Sequence, residues 1–291
     1  MSYFGKVSTA MVTPFDKNGN IDFHKTSMLI DYLLNHGTDS LVVAGTTGES
    51  PTLSSEEKIA LFKYVVTVVK GRVPVIAGTG SNNTKASIAL TKKAEEAGVD
   101  AIMLVAPYYN KPSQEGMYQH FKAIAESTKL PVMLYNVPGR SAVNMSVDTT
   151  VRLAGIPNIV AIKEASGDLD AMSLIISKTP LEFELYSGDD GLTIPAMSVG
   201  AVGVVSVASH IIGSEMQEMI SAFENGQFQA AAEYHRSLLP IMRQLFEAPN
   251  PAPVKTALQV KGLDVGPVRL PILPLTEQER TNLVSVMNTL T

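Results

Sequence analysis

Short runs of β-branched and other apolar residues recur along the chain, separated for the most part by longer segments of amphipathic, helix-like pattern. The runs are KVSTAMV, SLVVAG, VPVIAG, AIMLVAP, PVMLYN, IVAIK, EFELYSG and VGVVSV, which makes eight candidate strands. Their apolar positions are consecutive rather than alternating, so strands covered on both faces are predicted, as in a parallel sheet. The segments between them carry readable helix ends. Ser54 followed by Glu57 predicts a capping box that opens the helix SSEEKIALFKYVVTVVKG, with Gly71 closing it in a left-handed turn. A second helix is predicted over 84–97, ended by Gly98, and SQEGMYQHFKAIAEST and DLDAMSLIISKT supply a third and a fourth. Strand, helix, strand at a pitch of roughly 30 residues means parallel pairing through crossovers. Eight such units close into a (β/α)8 barrel of the α/β class.

The eighth run ends near Val207, and the remainder of the chain reads as helices: GSEMQEMISAFENG, FQAAAEYHRSLLPIMRQLF, APVKTALQVKG and TEQERTNLVSVMNTL. The expected organisation is a barrel over 1–224 with an appended helical region over 225–291; the Pro-rich passages 248–253 and 266–274 read as turns between helices. Residues 191–214 contain no Asp, Glu, Lys or Arg, a length that suits a bilayer span. Pro195, the serines and the glycines of that stretch, and the strand GVVSV at its middle, favour a buried segment of a soluble fold.

Composition narrows the function. At 291 residues the chain buries a large core without staples, and with no cysteine it has neither disulfides nor thiolate metal sites, which fits a reducing, cytoplasmic setting. The formal net charge of -5 is interspersed and no basic block offers a phosphate-binding face, which argues against nucleic acid as a partner. The start, MSYFGKVSTAMVTPFD, has no basic segment followed by a long apolar core, so no signal peptide is expected.

A parallel barrel carries its chemistry at the C-terminal ends of its strands. There the sequence places GTTGES, PYYN, YNVPGR, Lys163 and SGDD. Position alone leaves Lys163 two readings: an ion pair with Glu164 at the rim, or an amine kept uncharged by IVAI for attack on a carbonyl. Tyr135, ending the neighbouring run, is placed to move the protons that such chemistry requires, and Tyr108 and Tyr109 invite the same reading. The glycines around Thr46 and Thr47 let backbone amides approach an anion, and the two hydroxyls can relay protons. Arg140 offers a planar fork for a carboxylate. Asp189 and Asp190 are weak metal candidates, because none of the five histidines stands at a ligand spacing.

Taken together, GTTGES, YNVPGR and IVAIKEASGD resemble the three signatures of the dihydrodipicolinate synthase and N-acetylneuraminate lyase family of class I aldolase-type enzymes, in order and spacing, over essentially the whole chain. The resemblance implies that Lys163 forms an imine with pyruvate, with Tyr135, Thr46 and a Tyr109 contributed by a neighbouring subunit as the proton relay. It further implies substrate contacts from Thr47, Arg140, Gly188 and Val205, no metal or organic cofactor, and a homotetramer built as a dimer of dimers. Arginine directly after YNVPG and the paired threonines resemble the branch that condenses pyruvate with (S)-aspartate 4-semialdehyde on the way to diaminopimelate and lysine. The alternative is another pyruvate-dependent lyase of the family, of the N-acetylneuraminate or 4-hydroxy-2-oxoglutarate type. Lys58 and Ala86 depart from the residues with which lysine-inhibited members hold lysine, which implies weak or absent feedback.

Overall fold

The computed structural model describes residues 2–290. Eight strands, β1 (Val7–Ala10), β2 (Ser40–Val43), β3 (Val75–Gly78), β4 (Ala101–Val105), β5 (Val132–Asn136), β6 (Ile159–Glu164), β7 (Glu184–Ser187) and β8 (Gly203–Ser206), form a closed barrel in sequence order. Neighbours are parallel throughout, and β8 returns to β1 with Val7 beside Val204. The strands are buried almost end to end, as their uninterrupted apolar runs predict. All eight predicted runs are strands.

Helices alternate with the strands: α1 (Phe23–Leu34), α2 (Ser55–Val69), α3 (Thr84–Glu96), α4 (Gln114–Ala125), the short α5 (Pro138–Ser141), α6 (Val147–Ala154), α7 (Leu169–Lys178), the short α8 (Thr193–Ser198) and α9 (Ser209–Glu224). Side-chain caps set most of their starts. Asp22, Ser54, Asn83, Ser113, Ser146 and Asp168 each accept a first-turn amide that would otherwise lack a partner. The Ser54–Glu57 capping box forms in both directions. Its helix ends one residue before the predicted glycine: Lys70 takes the left-handed C-cap position, at φ 52°, and Gly71 follows at φ 71°. Helices α1 and α6 go beyond the sequence reading.

The uncharged stretch 191–214 breaks into α8, β8 and the start of α9. Among the described residues no helix is long and apolar enough to cross a membrane. Beyond α9 come α10 (Phe228–Gln244), α11 (Ala252–Val260) and α12 (Glu277–Met287). Helix α10 packs on α9 and α12, and α11 packs on α12 and α9. This carries the turn at 248–253 over the barrel mouth, where Phe246 and Asn250 reach a cavity ringed by the strand ends.

His210 fastens the first turn of α9 to the loop after β1. Its Nε2 accepts the Val12 amide at 3.2 Å, and its Nδ1 lies 2.8 Å from the Val207 carbonyl, so the neutral ring with the proton on Nδ1 satisfies both. Burial pushes its pKa from 6.5 down to about 4. As pH falls through that window the unfolded chain binds a proton that the folded one refuses. Stability therefore drops on acidification by about 1.4 kcal/mol per pH unit from this group. Urea midpoints measured from pH 7 to pH 4 are expected to show a steeper decline for the native protein than for His210→Gln.

Candidate active site

The C-terminal ends of the strands surround a cavity of ≈400 Å³. The loop after β2 supplies Thr46 and Thr47, β5 supplies Tyr135, β6 supplies Lys163, α5 supplies Arg140, and the loop after β7 supplies Gly188 and Asp189. These groups lie far apart in sequence and meet because a parallel barrel brings every strand's last residues to one rim.

Lys163 is only 5% exposed. It stands beside Tyr135 in the β5–β6 register, and its Nζ lies 4.3 Å from the centre of the Tyr135 ring. The ion pair with Glu164 does not form. The Glu164 carboxylate instead accepts from Asn136 Nδ2 at 2.9 Å and from the Ser166 amide at 2.7 Å. Burial raises the Glu164 pKa, and those hydrogen bonds oppose the rise. Among the described residues Lys163 has no acidic partner. The strand's period of two puts the lysine and Glu164 on opposite faces, so adjacent charges are kept apart.

The turn bearing Thr46 and Thr47 is bounded by two non-glycine residues in the left-handed region, Ala44 at φ 53° and Glu49 at φ 57°. Such a conformation persists only where the surroundings enforce it. Three ties do so here. Thr13 Oγ1 donates to the Gly48 carbonyl at 2.6 Å, Asn250 Nδ2 donates to Thr47 Oγ1 at 2.9 Å, and Glu49 Oε1 lies 2.6 Å from Lys255 Nζ. Glu49 and Lys255 are each 3% exposed at their side chains. Lys255 also donates to the Pro267 carbonyl at 2.8 Å, and Glu49 Oε2 accepts the Arg269 amide at 2.8 Å. Burial pushes the Lys255 pKa down to about 8, against the opposing pull of Glu49. Gly78 makes room for the turn, since a Cβ there would lie 2.5 Å from the Ala44 carbonyl oxygen.

Two residues of the expected set lie elsewhere. Val205 is buried on β8 beside Ser8 and is not among the cavity's lining residues. Val207, just past the end of β8, lines the cavity. Tyr109 stands outside the cavity, 88% exposed, at φ 70°. The two aspartates diverge: Asp189 lines the cavity, while Asp190 turns inward to accept the amides of Val207 and Ala208 at 3.1 and 3.0 Å. Met103, Phe246 and Asn250 line the cavity without having been marked by the sequence. Asn250 carries no local signal beyond a Pro-rich turn, because its contact to Thr47 spans 203 residues.

Fold and cavity define a class, that of (β/α)8 barrels with a site at the C-terminal mouth. The chain belongs to the dihydrodipicolinate synthetase family, whose model matches residues 3–290. It is 72% identical over 288 residues to the 4-hydroxy-tetrahydrodipicolinate synthase of Bacillus subtilis (strain 168), covering 99% of each chain. It is 71% identical over 286 residues to the enzyme of that name from Bacillus velezensis, covering 98% of this chain and 99% of the relative. Among solved structures, the dihydrodipicolinate synthase of Bacillus anthracis superposes with a TM-score of 0.98 at 70% identity, over 99% of both chains. The lysine-bound enzyme of Cyanidioschyzon merolae does so with a TM-score of 0.98 at 46% identity, again over 99% of both chains.

Proposed function

We propose that this chain is a lyase that condenses pyruvate with (S)-aspartate 4-semialdehyde to 4-hydroxy-tetrahydrodipicolinate, with Lys163 as the covalent nucleophile. The observation that carries the reading is the Lys163 amine itself, buried at the barrel mouth, without an acidic partner among the described residues and stacked on Tyr135. With the Glu164 carboxylate engaged by Asn136 and Ser166, the Lys163 amine faces the cavity, where a carbonyl carbon can reach it.

In this reading the Lys163 nitrogen adds to C2 of pyruvate, whose carboxylate lies against the Thr46 and Thr47 amides. The carbinolamine expels its hydroxyl as water, using protons moved through Tyr135 and Thr46. Loss of a methyl proton from the imine gives an enamine, whose carbon bonds to the aldehyde carbon of aspartate semialdehyde; the aldehyde oxygen takes a proton and becomes the 4-hydroxyl. The substrate's own amine then attacks the imine carbon, the ring closes, and Lys163 leaves as the free amine. The protonated imine is the electron sink for loss of the methyl proton, and we assign that proton and the one delivered to the aldehyde oxygen to the same Tyr135–Thr46 relay.

Trapping tests this directly. Borohydride reduction in the presence of pyruvate is expected to leave one adduct per chain, mapped to the peptide containing Lys163; an unmodified Lys163 peptide rejects the scheme. Arg140 lines the cavity with no carboxylate partner among the described residues, which suits it to grip the carboxylate of the second substrate. Arg140→Ala is expected to raise KM for aspartate semialdehyde by roughly 10- to 100-fold, the worth of a charge-assisted hydrogen bond. The pyruvate adduct should survive that change, and activity on N-acetylneuraminate in place of the semialdehyde would overturn the choice of substrate.

The exposure and left-handed backbone of Tyr109 fit a side chain that completes the relay in a neighbouring copy. Sedimentation is expected to give a dimer of dimers. Tyr109→Phe is expected to lower kcat without changing the sedimentation coefficient; unchanged kcat would remove Tyr109 from the relay.

A further inference from the structure

Asn136 ends β5 one residue after Tyr135, so the strand's period of two turns its side chain to the opposite face. There it meets Glu164, its neighbour in the β5–β6 register, just as Tyr135 meets Lys163 one step earlier. We propose that Asn136 is a positioning residue for the second substrate: its side chain closes the neck of the loop 137–144 and so sets the reach of Arg140. This rests on the carboxylate-binding role given to Arg140 above.

Closure is the first argument. Asn136 Nδ2 donates to Asn144 Oδ1 at 2.7 Å and to Glu164 Oε2 at 2.9 Å, and its Oδ1 accepts the Met145 amide at 3.0 Å. Turning the amide over would set oxygen against oxygen twice and N–H against N–H once, so its orientation is fixed. Asn144 and Met145 stand eight and nine residues further along the chain. One side chain therefore joins the two legs of the loop and fastens them to β6, through a carboxylate that the Ser166 amide holds from its other oxygen at 2.7 Å. On the far leg, Gln114 of α4 adds a second hold: its Nε2 donates to the Asn144 carbonyl at 2.8 Å and its Oε1 accepts the Ser146 amide at 3.0 Å.

The segment between the legs is stiff. Pro138–Ser141 form the single turn α5, Ala142 follows in the left-handed region at φ 56°, and Ser141 Oγ lies 3.0 Å from the Val137 carbonyl and 2.8 Å from that of Val143. A short loop that is ordered within and held at its ends moves as one body. Arg140 makes no ion pair among the described residues, so where its guanidinium stands in the cavity depends on how that body is set. Asparagine suits the neck because it is neutral and both donates and accepts. Aspartate would face the Glu164 carboxylate, and alanine would leave that carboxylate a donor short.

Steady-state kinetics with each substrate varied in turn test the clasp. Asn144→Ala removes one acceptor from an exposed residue and keeps the bond to Glu164; it is expected to raise KM for aspartate semialdehyde roughly 3- to 10-fold, the worth of one neutral hydrogen bond. Asn136→Ala loses all three contacts and is expected to raise it about tenfold or more, with the effect of Arg140→Ala as the ceiling. KM for pyruvate and the yield of the borohydride-trapped adduct stay native in both. In an Arg140→Ala background either asparagine variant is expected to add less than about twofold, since residues that act through one group are not additive. Thermal midpoints are recorded alongside, and Asn144→Ala decides the question if Asn136→Ala does not fold. Native KM for the semialdehyde in Asn144→Ala, or a rise undiminished in the Arg140→Ala background, overturns the proposal. Native KM in Arg140→Ala itself would remove the role given to Arg140 and the clasp's function with it, whereas a raised KM there beside native asparagine variants overturns the clasp alone.

Discussion

Lys163→Ala is expected to lower kcat by a factor on the order of 10⁴ or more, the scale of deleting a covalent nucleophile, and to abolish the borohydride-trapped adduct. The same change should leave the thermal midpoint level or raise it. Burying an amine that has no acidic partner among the described residues costs the fold, and its removal strands no opposite charge. This pairing of outcomes separates chemistry from architecture. If Lys163 served the fold, the midpoint would fall along with the rate. Lys163→Arg keeps the charge but offers no comparable nucleophile, so it should be equally inactive; turnover by either variant refutes the mechanism.

Lys255→Met is expected to cost about 3–5 kcal/mol, because it leaves the Glu49 carboxylate buried without its cation. The double variant Glu49→Gln/Lys255→Met should recover much of that loss, since removing both charges of a buried pair is often close to neutral. Denaturant midpoints of the native protein, the two single variants and the double variant measure the coupling. Function should show the same pattern. Glu49 ends the left-handed turn that presents the Thr46 and Thr47 amides, so the Lys255 variant is expected to raise KM for pyruvate. If the single and double variants were equally destabilised, the pair would not be what holds the turn.

Much of this molecule was legible in its sequence because the barrel converts local pattern into position. Each unbroken apolar run became a strand, and the residue that ends a run landed at the rim, which is why Lys163, Tyr135, Thr46 and Thr47 surround one cavity. Helices with strong ends were equally readable; Ser54 with Glu57 is the plainest case. Helix α6 was harder, being eight residues long with Thr149 and Thr150 at its centre, and Ser146 was its one clear signal. Helix α1 has no acidic first turn and no basic last turn, leaving Asp22 and the spacing of Leu29, Ile30 and Leu33 to announce it. Local pattern gave no access to the partners that arrive from far along the chain. Nothing near Asn250 points to Thr47, and nothing near Lys255 points to Glu49; those contacts exist only once α10 and α11 pack beyond the barrel. Val205 lies on the expected strand, buried beside Ser8, while Val207 just beyond the strand lines the cavity.

The ties from Asn250 to Thr47 and from Lys255 to Glu49 carry a consequence for synthesis on the ribosome. All eight strands emerge from the exit tunnel before either tethering residue does. A nascent polypeptide stalled after β8 would hold Lys163 yet lack the brace for the Thr46–Thr47 turn, so the proposed catalytic competence waits until α11 has been translated.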